Sequence, residues 1–256
     1  MGVASSLLAR HRVAAFAAVG AVVGTWFVVA PHLERVGLWP AIAIVSIAVM
    51  PVTFLLVLIA LPLWPRRWLL PVVVVLALVA LVCSLADWGL AANFAKLWAA
   101  VFAGWAFLTM FEQLSWVVLV AAVIPLVDIV SVWRGPTHHI TAHHFEVYTA
   151  VAIAFLVPGG GAAYLGPPDV LFFALFLAAA ARWHLRVFWT WFSMVAVYSL
   201  TVVIANAADI GGLPALPFLS VGFLAPNADL LWRRLRRPSA GSSASSSSAG
   251  GGPAPS

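Results

Sequence analysis

Long apolar runs separated by short polar breaks fill most of this chain. A helix needs roughly 17 to 25 apolar residues to cross a bilayer, and most of the runs approach that length. Eight runs are recognisable, at about 13–30, 37–64, 68–90, 94–111, 114–133, 168–181, 187–207 and 213–232. The pattern predicts an all-α polytopic membrane protein with about eight transmembrane helices. A cleaved signal peptide is the alternative interpretation of the first run.

One stretch, 134–165, interrupts the pattern. Its apolar run 147–157 is too short to span, so we expect a re-entrant piece, an interfacial helix or strands that cover a site. The C-terminal residues 238–256 are Ser, Gly, Ala and Pro, which bury too little apolar area to fold. We therefore predict a membrane domain at 1–237 and a disordered tail at 238–256.

Composition and charge agree with a membrane location. Hydrophobic residues make up 64% of the chain and charged residues 8%, and the formal net charge is +5. Arginines at the ends of runs account for this charge, which fits positive-inside topology and anionic lipid headgroups and gives no reason to expect nucleic-acid binding. With a cytoplasmic N-terminus, all of the 13 lysines and arginines except Arg35, Lys96 and Arg134 fall inside. Both termini are therefore predicted to be cytoplasmic. Short loops favour a prokaryotic plasma membrane.

Two aspartates, Asp128 and Asp169, lie inside these apolar runs. A charged side chain at bilayer depth costs a few kcal/mol on insertion scales, so such residues usually have a function. Four other carboxylates are different, because they fall near predicted span ends, where the side chain reaches the interface: Asp87, Glu112, Asp209 and Asp229. The single cysteine, Cys83, is expected to be a small packing residue, with no disulfide and no thiolate metal site.

Three short motifs occur in order on the fifth, sixth and last runs. They are Val127-Asp128-Ile129-Val130 followed by Arg134-Gly135-Pro136, then Gly166-Pro167-Pro168-Asp169, then Leu213-Pro214-Ala215-Leu216-Pro217. This order resembles the aspartate, GxGD and PAL motifs of the presenilin and signal peptide peptidase family of intramembrane aspartyl proteases. The resemblance covers about 114–232 and suggests a prokaryotic homologue.

The resemblance implies a function and a set of site residues. Asp128 and Asp169 would be catalytic, and the substrate would contact Gly166, Pro214, Ala215 and Leu216. Substrates would be transmembrane segments of other membrane proteins in the lipid bilayer; no metal or other cofactor is expected, and the oligomeric state is not specified. Two nearby carboxylates in low dielectric share one proton, which suits acid and base roles in amide hydrolysis.

Two further expectations concern substrate capture. Pro214 and Pro217 are expected to keep the start of the last run out of regular helix, leaving backbone carbonyls beside the site. The loop that ends at Gly166 is expected to supply an edge for strand addition to an unwound substrate. The predicted orientation resembles that of signal peptide peptidase, so substrates with a cytoplasmic N-terminus are expected.

The chain also departs from the family pattern. Val127 stands where the family usually has tyrosine, Pro168 where it usually has glycine, and the family usually has nine spans. Proline fixes φ and removes an N–H, although Pro167 and Pro168 also suit a helix start.

Other functions are compatible with the sequence. A proton-coupled transporter would use the buried aspartates as a relay, and an inactive relative would bind membrane helices without cleaving them. A cluster of His138, His139, His143 and His144 is either a metal site or a solvated, pH-sensitive loop.

Overall fold

The apolar runs form helices. The computed structural model describes residues 2–65, 68–134, 145–208 and 213–235. Its α-helices are α1 (Gly2–Val29), α2 (Leu38–Ile44), α3 (Met50–Ala60), α4 (Leu69–Leu85), α5 (Gly89–Leu108), α6 (Leu114–Arg134), α7 (Phe145–Val151), α8 (Pro167–Arg182), α9 (Val187–Ala207), α10 (Leu216–Leu224) and α11 (Ala228–Leu235). The predicted tail at 238–256 lies outside the described residues.

Several of these helical segments are long and apolar enough to cross a membrane. Among the described residues five meet both criteria: Arg10–His32, Leu38–Leu63, Gly89–Leu108, Leu114–Ser131 and Val187–Ala207. Two more helices, α4 with 17 residues and α8 with 16, are shorter. The helical character expected of a membrane protein is therefore present, while the predicted count of about eight spans stays a prediction.

The boundary between α4 and α5 differs from the prediction. Helix α4 ends at Leu85, earlier than expected, and Asp87 takes a left-handed turn with φ of 57°. Helix α5 then begins at Gly89 and not near Phe94. Lys96 therefore lies about two turns inside the helix and not in a loop. Its side chain is half-buried, as suits a lysine whose aliphatic stem packs against apolar neighbours.

The second apolar run is one continuous helical segment with a wide turn in its middle. A π-helix at Val45–Val49 joins α2 to α3, and the Met50 N–H bonds to the Val45 carbonyl. Pro51 follows directly and has no N–H to continue a regular ladder. The Ser46 carbonyl accepts a hydrogen bond from the Ser199 hydroxyl at 2.6 Å, which ties this turn to α9.

A β-hairpin lies between α7 and α8, in the stretch for which strands were one of the three expected structures. Strands β1 (Ile153–Val157) and β2 (Gly161–Leu165) pair antiparallel, from Ile153 opposite Leu165 to Val157 opposite Gly161. The turn uses glycines with positive φ. Of the structures predicted for 147–157, a helix is correct for 147–151 and a strand for Ile153–Val157, which a turn rich in glycine follows.

Helix α8 is the centre of the fold. It contacts α5, α6, α9 and α10, and residues 173–180 have no exposed surface. Helices α5 and α8 approach closely at Gly104, where an added Cβ would lie 2.2 Å from the Leu171 carbonyl oxygen. Helix α6 packs mainly on α10. These contacts bring the N-terminal ends of α8 and α10 close to α6.

Candidate active site

Asp128 lies in α6, just after the internal Pro125, and is half-buried. One oxygen of its carboxylate, Oδ2, accepts a hydrogen bond from the backbone N–H of Leu216 at 3.0 Å. Leu216 is the first residue of α10. The first N–H groups of a helix have no partner within the helix, and the helix dipole favours a negative charge there. Asp128 thus caps α10 from a separate helix, and this contact fixes the orientation of its carboxylate.

Asp169 lies in the first turn of α8. The helix begins at Pro167, and the Asp169 N–H bonds to the Gly166 carbonyl at 3.1 Å. The Tyr198 hydroxyl of α9 donates to the backbone carbonyl of Asp169 at 2.7 Å. Tyr198 is buried and stacks on Phe173 of α8. The start of α8, and with it the Asp169 side chain, is therefore held in place by α9.

The structure brings the two predicted aspartates together. Asp128 and Asp169 are close enough for their charges to interact, and the Tyr198 phenol interacts with both. Tyr148 also interacts electrostatically with Asp169. It lies in α7, a helix too short to cross a membrane. Burial and, after it, the charge of Asp169 raise the pKa of Tyr148 to about 12. Tyr148 is therefore a protonated hydrogen-bond donor at neutral pH.

The segment before Asp169 accommodates proline. The first N–H groups of a helix have no partner within the helix, so proline at position 168 removes no intrahelical hydrogen bond. The Pro168 side chain is exposed. Gly166 gives the carboxylate room, because an added Cβ would be 3.3 Å from Asp169 Oδ2. The unusual Pro168 is thus compatible with the start of α8.

The Pro-Ala-Leu segment meets the site in a way that differs from the prediction. Pro217 lies in the first turn of α10, where proline is favoured, and the Ala215 carbonyl accepts the Leu219 N–H at 3.0 Å. The prediction that Pro217 keeps this segment out of regular helix is therefore wrong. The prediction of open backbone carbonyls is wrong for Ala215. The segment contributes a donor, the Leu216 N–H. Pro214 is buried just outside the helix.

Sequence reasoning missed the tyrosines at the site. The chain has three tyrosines against 16 phenylalanines and 13 tryptophans. Two of the three, Tyr148 and Tyr198, interact with Asp169, and the third, Tyr164, lies in β2. This scarcity is the signal that would have found them, since a phenol in an apolar segment needs a partner.

The remaining sequence predictions concern histidines, other carboxylates and the cysteine. His138, His139, His143 and His144 lie outside the described residues, as does Asp209. Among the residues the structure does describe, no group of three or more His, Cys, Asp or Glu side chains is placed to hold a metal. Cys83 is buried, as expected of a packing residue.

Asp229 lies in the first turn of α11 and pairs with Arg186. Both Arg186 Nη atoms contact the carboxylate at 2.9 Å, and both side chains are partly exposed. This carboxylate joins α11 to the start of α9.

The fold and the site together describe a helical protein suited to a membrane, with two interacting aspartates, one inside α6 and one in the first turn of α8. Comparisons of the chain with protein-family models, curated proteins and solved structures gave no match. The assignment of function therefore depends on the residues themselves.

Proposed function

We propose that this protein is an intramembrane aspartyl protease that hydrolyses peptide bonds in transmembrane segments of other proteins. The observation that carries the proposal is the contact between Asp128 and Leu216 beside Asp169. Three segments distant in sequence, each with its own motif, meet at one place. A salt bridge or an accidental polar contact would not require three segments with these motifs to meet.

The chemistry follows from two carboxylates that share one proton. The ionised one takes a proton from water, whose oxygen attacks the amide carbon, while the protonated one donates to the carbonyl oxygen. The tetrahedral diol then collapses, the C–N bond breaks and the leaving nitrogen takes a proton from the dyad. The titration belongs to the pair, so neither role is assigned to Asp128 or Asp169 alone. The Leu216 contact and the Tyr198 contact orient the two groups.

Substrate capture is proposed at the outer edge of β2. In an antiparallel ladder, the N–H and C=O of one residue point to the same edge. Both groups of Ala154 bond to Asn93, away from β2, so the opposite residue Tyr164 and, two residues earlier, Ala162 face the outer edge of β2. No described residue hydrogen-bonds to the backbone of Ala162 at this edge. An unwound substrate strand would add here, next to Asp169.

The proposed topology has about eight spans with both termini in the cytoplasm of a prokaryote. It adds α4, α8 and the α10–α11 segment to the five segments of spanning length. Substrates would then enter with a cytoplasmic N-terminus. We expect a tag at either terminus to be protected in sealed right-side-out vesicles; a tag accessible from outside would contradict this topology.

A proton-coupled transporter is the second candidate, and an inactive helix-binding relative the third. The interacting Asp128, Asp169 and Tyr198 would serve a proton relay as well as a hydrolase. Pro168 in front of Asp169 is the feature that favours the inactive relative.

The deciding experiment is cleavage of a single-span substrate in liposomes by the parent and by Asp128→Asn and Asp169→Asn. Either substitution should abolish cleavage, since each removes half of the dyad. Asp87→Asn is the matched control, because Asp87 is exposed in a turn whose positive φ asparagine accepts. A parent that cleaves no substrate across pH but moves protons would favour transport, and one that binds helices without turnover would favour the inactive relative.

A further inference from the structure

A polar side chain distant in sequence from the dyad binds the hairpin as a neighbouring strand would. Asn93 of α5 donates from Nδ2 to the Ala154 carbonyl at 3.0 Å and accepts the Ala154 N–H on Oδ1 at 2.7 Å. Both hydrogen-bonding groups of one strand residue are satisfied by one amide. This geometry closes the outer edge of β1 at its first half.

The rest of β1 and its turn are held by the N-terminal part of the chain. Trp26 of α1 donates from Nε1 to the Leu156 carbonyl at 2.9 Å. The Gly159 N–H bonds to the Ala30 carbonyl at 3.1 Å, and Arg35 contacts the Gly159 carbonyl at 3.3 Å. These contacts hold the hairpin along β1 and at its turn.

Strand β2 connects the anchored strand β1 to the site. It ends at Leu165, and Gly166 then joins it to the first turn of α8 and Asp169. A strand that slides while keeping its faces moves by two residues, or about 6.6 Å. A shift of that size at β2 would change which peptide bond of a paired substrate lies at the dyad.

We propose that Asn93 is a positioning residue: by holding Ala154 it fixes the register of the hairpin against Asp169 and so selects the peptide bond that is cleaved. This inference rests on the proposed protease function. Asn93 does not touch the reacting atoms. Its effect passes through β1 and β2.

The test compares the full-length parent with Asn93→Ala, and uses Asn206→Ala as the control. Asn206 is an exposed asparagine of α9 that bonds only to Val202 of its own helix among the described residues. Hydrogen exchange in liposomes is measured first. The Ala154 amide should exchange about tenfold faster in Asn93→Ala, the effect of losing one hydrogen bond of ordinary strength, and should not change in Asn206→Ala.

Product mapping by mass spectrometry then tests the selection of the cleaved bond. For a single-span substrate, Asn93→Ala should move at least half of the product to bonds about two residues from the parent site. Asn206→Ala should keep the parent site. A variant with faster Ala154 exchange but unchanged cleavage positions would overturn the positioning role.

The two hypotheses fail in different ways. Unchanged exchange at Ala154 in Asn93→Ala overturns the inference, whatever the activity of the parent. A parent that cleaves nothing overturns the proposed protease, and the selection role with it. The exchange result would then still report whether Asn93 holds β1.

Discussion

The close contact between α5 and α8 at Gly104 allows a sharp test of the packing that supports Asp169. In Gly104→Ala, the new Cβ would lie 2.2 Å from the Leu171 oxygen and 3.1 Å from the Leu175 nitrogen. A carbon–oxygen contact normally begins near 3.3 Å, so the helices must separate by about 1 Å. Both neighbours are backbone atoms of α8, so no side-chain rotation relieves the clash.

The expected cost has two parts. Overpacking of this kind destabilises proteins by about 1–3 kcal/mol. Because Leu171 is two residues from Asp169, displacement of α8 also misplaces the carboxylate, and an error of about 1 Å lowers catalysis on the order of 100-fold. We therefore expect a lower melting temperature in detergent and a large loss of cleavage.

Gly20→Ala is the control for Gly104→Ala. It makes the same chemical change in α1, where an added Cβ meets no atom within 4 Å. Thermal unfolding followed by a thiol-reactive dye at the buried Cys83, together with the liposome cleavage assay, measures both parts. If Gly104→Ala and Gly20→Ala had the same melting temperature, the close approach of α5 and α8 would be refuted.

Three further predictions concern single groups. Tyr198→Phe should lower cleavage about tenfold and cost about 1 kcal/mol of stability, because the ring stays but the hydrogen bond to the Asp169 carbonyl is lost. The control is Thr201→Val, which removes a hydroxyl bonded within α9 and should keep the cleavage activity. Ala162→Pro should weaken substrate binding, because it removes an N–H at the outer edge of β2. The hairpin should stay intact, since that N–H faces away from β1, and a normal KM would contradict strand addition at β2. Asp229→Asn should lower the melting temperature by no more than a few degrees, because the ion pair with Arg186 that it removes is partly exposed; an unchanged melting temperature would count against the pairing.

The sequence predicted what depends on local pattern. Apolar runs of helical length became helices, and charge in an apolar run together with motif order singled out Asp128, Asp169 and Leu216. The hairpin was only one of three structures expected for its segment, because a short apolar run fits a strand and a helix equally well.

Contacts between distant residues could not be predicted in this way. Asn93 looks like an ordinary polar residue of α5 until the hairpin lies against it, 61 positions later in the chain. The Leu216 N–H is a backbone group present at every residue, so no letter of the sequence marks it as the partner of Asp128. Its role depends on where α10 begins, which tertiary packing decides.

The shortness of α8 has a consequence for the surrounding lipid. Its 16 residues give a helix about 24 Å long, whereas the hydrocarbon layer is about 30 Å thick. With Asp169 in its first turn, the reactive end would be recessed below the membrane surface, under the hairpin. Hydrophobic mismatch of this kind is relieved by local bilayer thinning. A lipid with shorter acyl chains would shorten the path of water to Asp169, so the proposed protease activity should depend on the thickness of the bilayer.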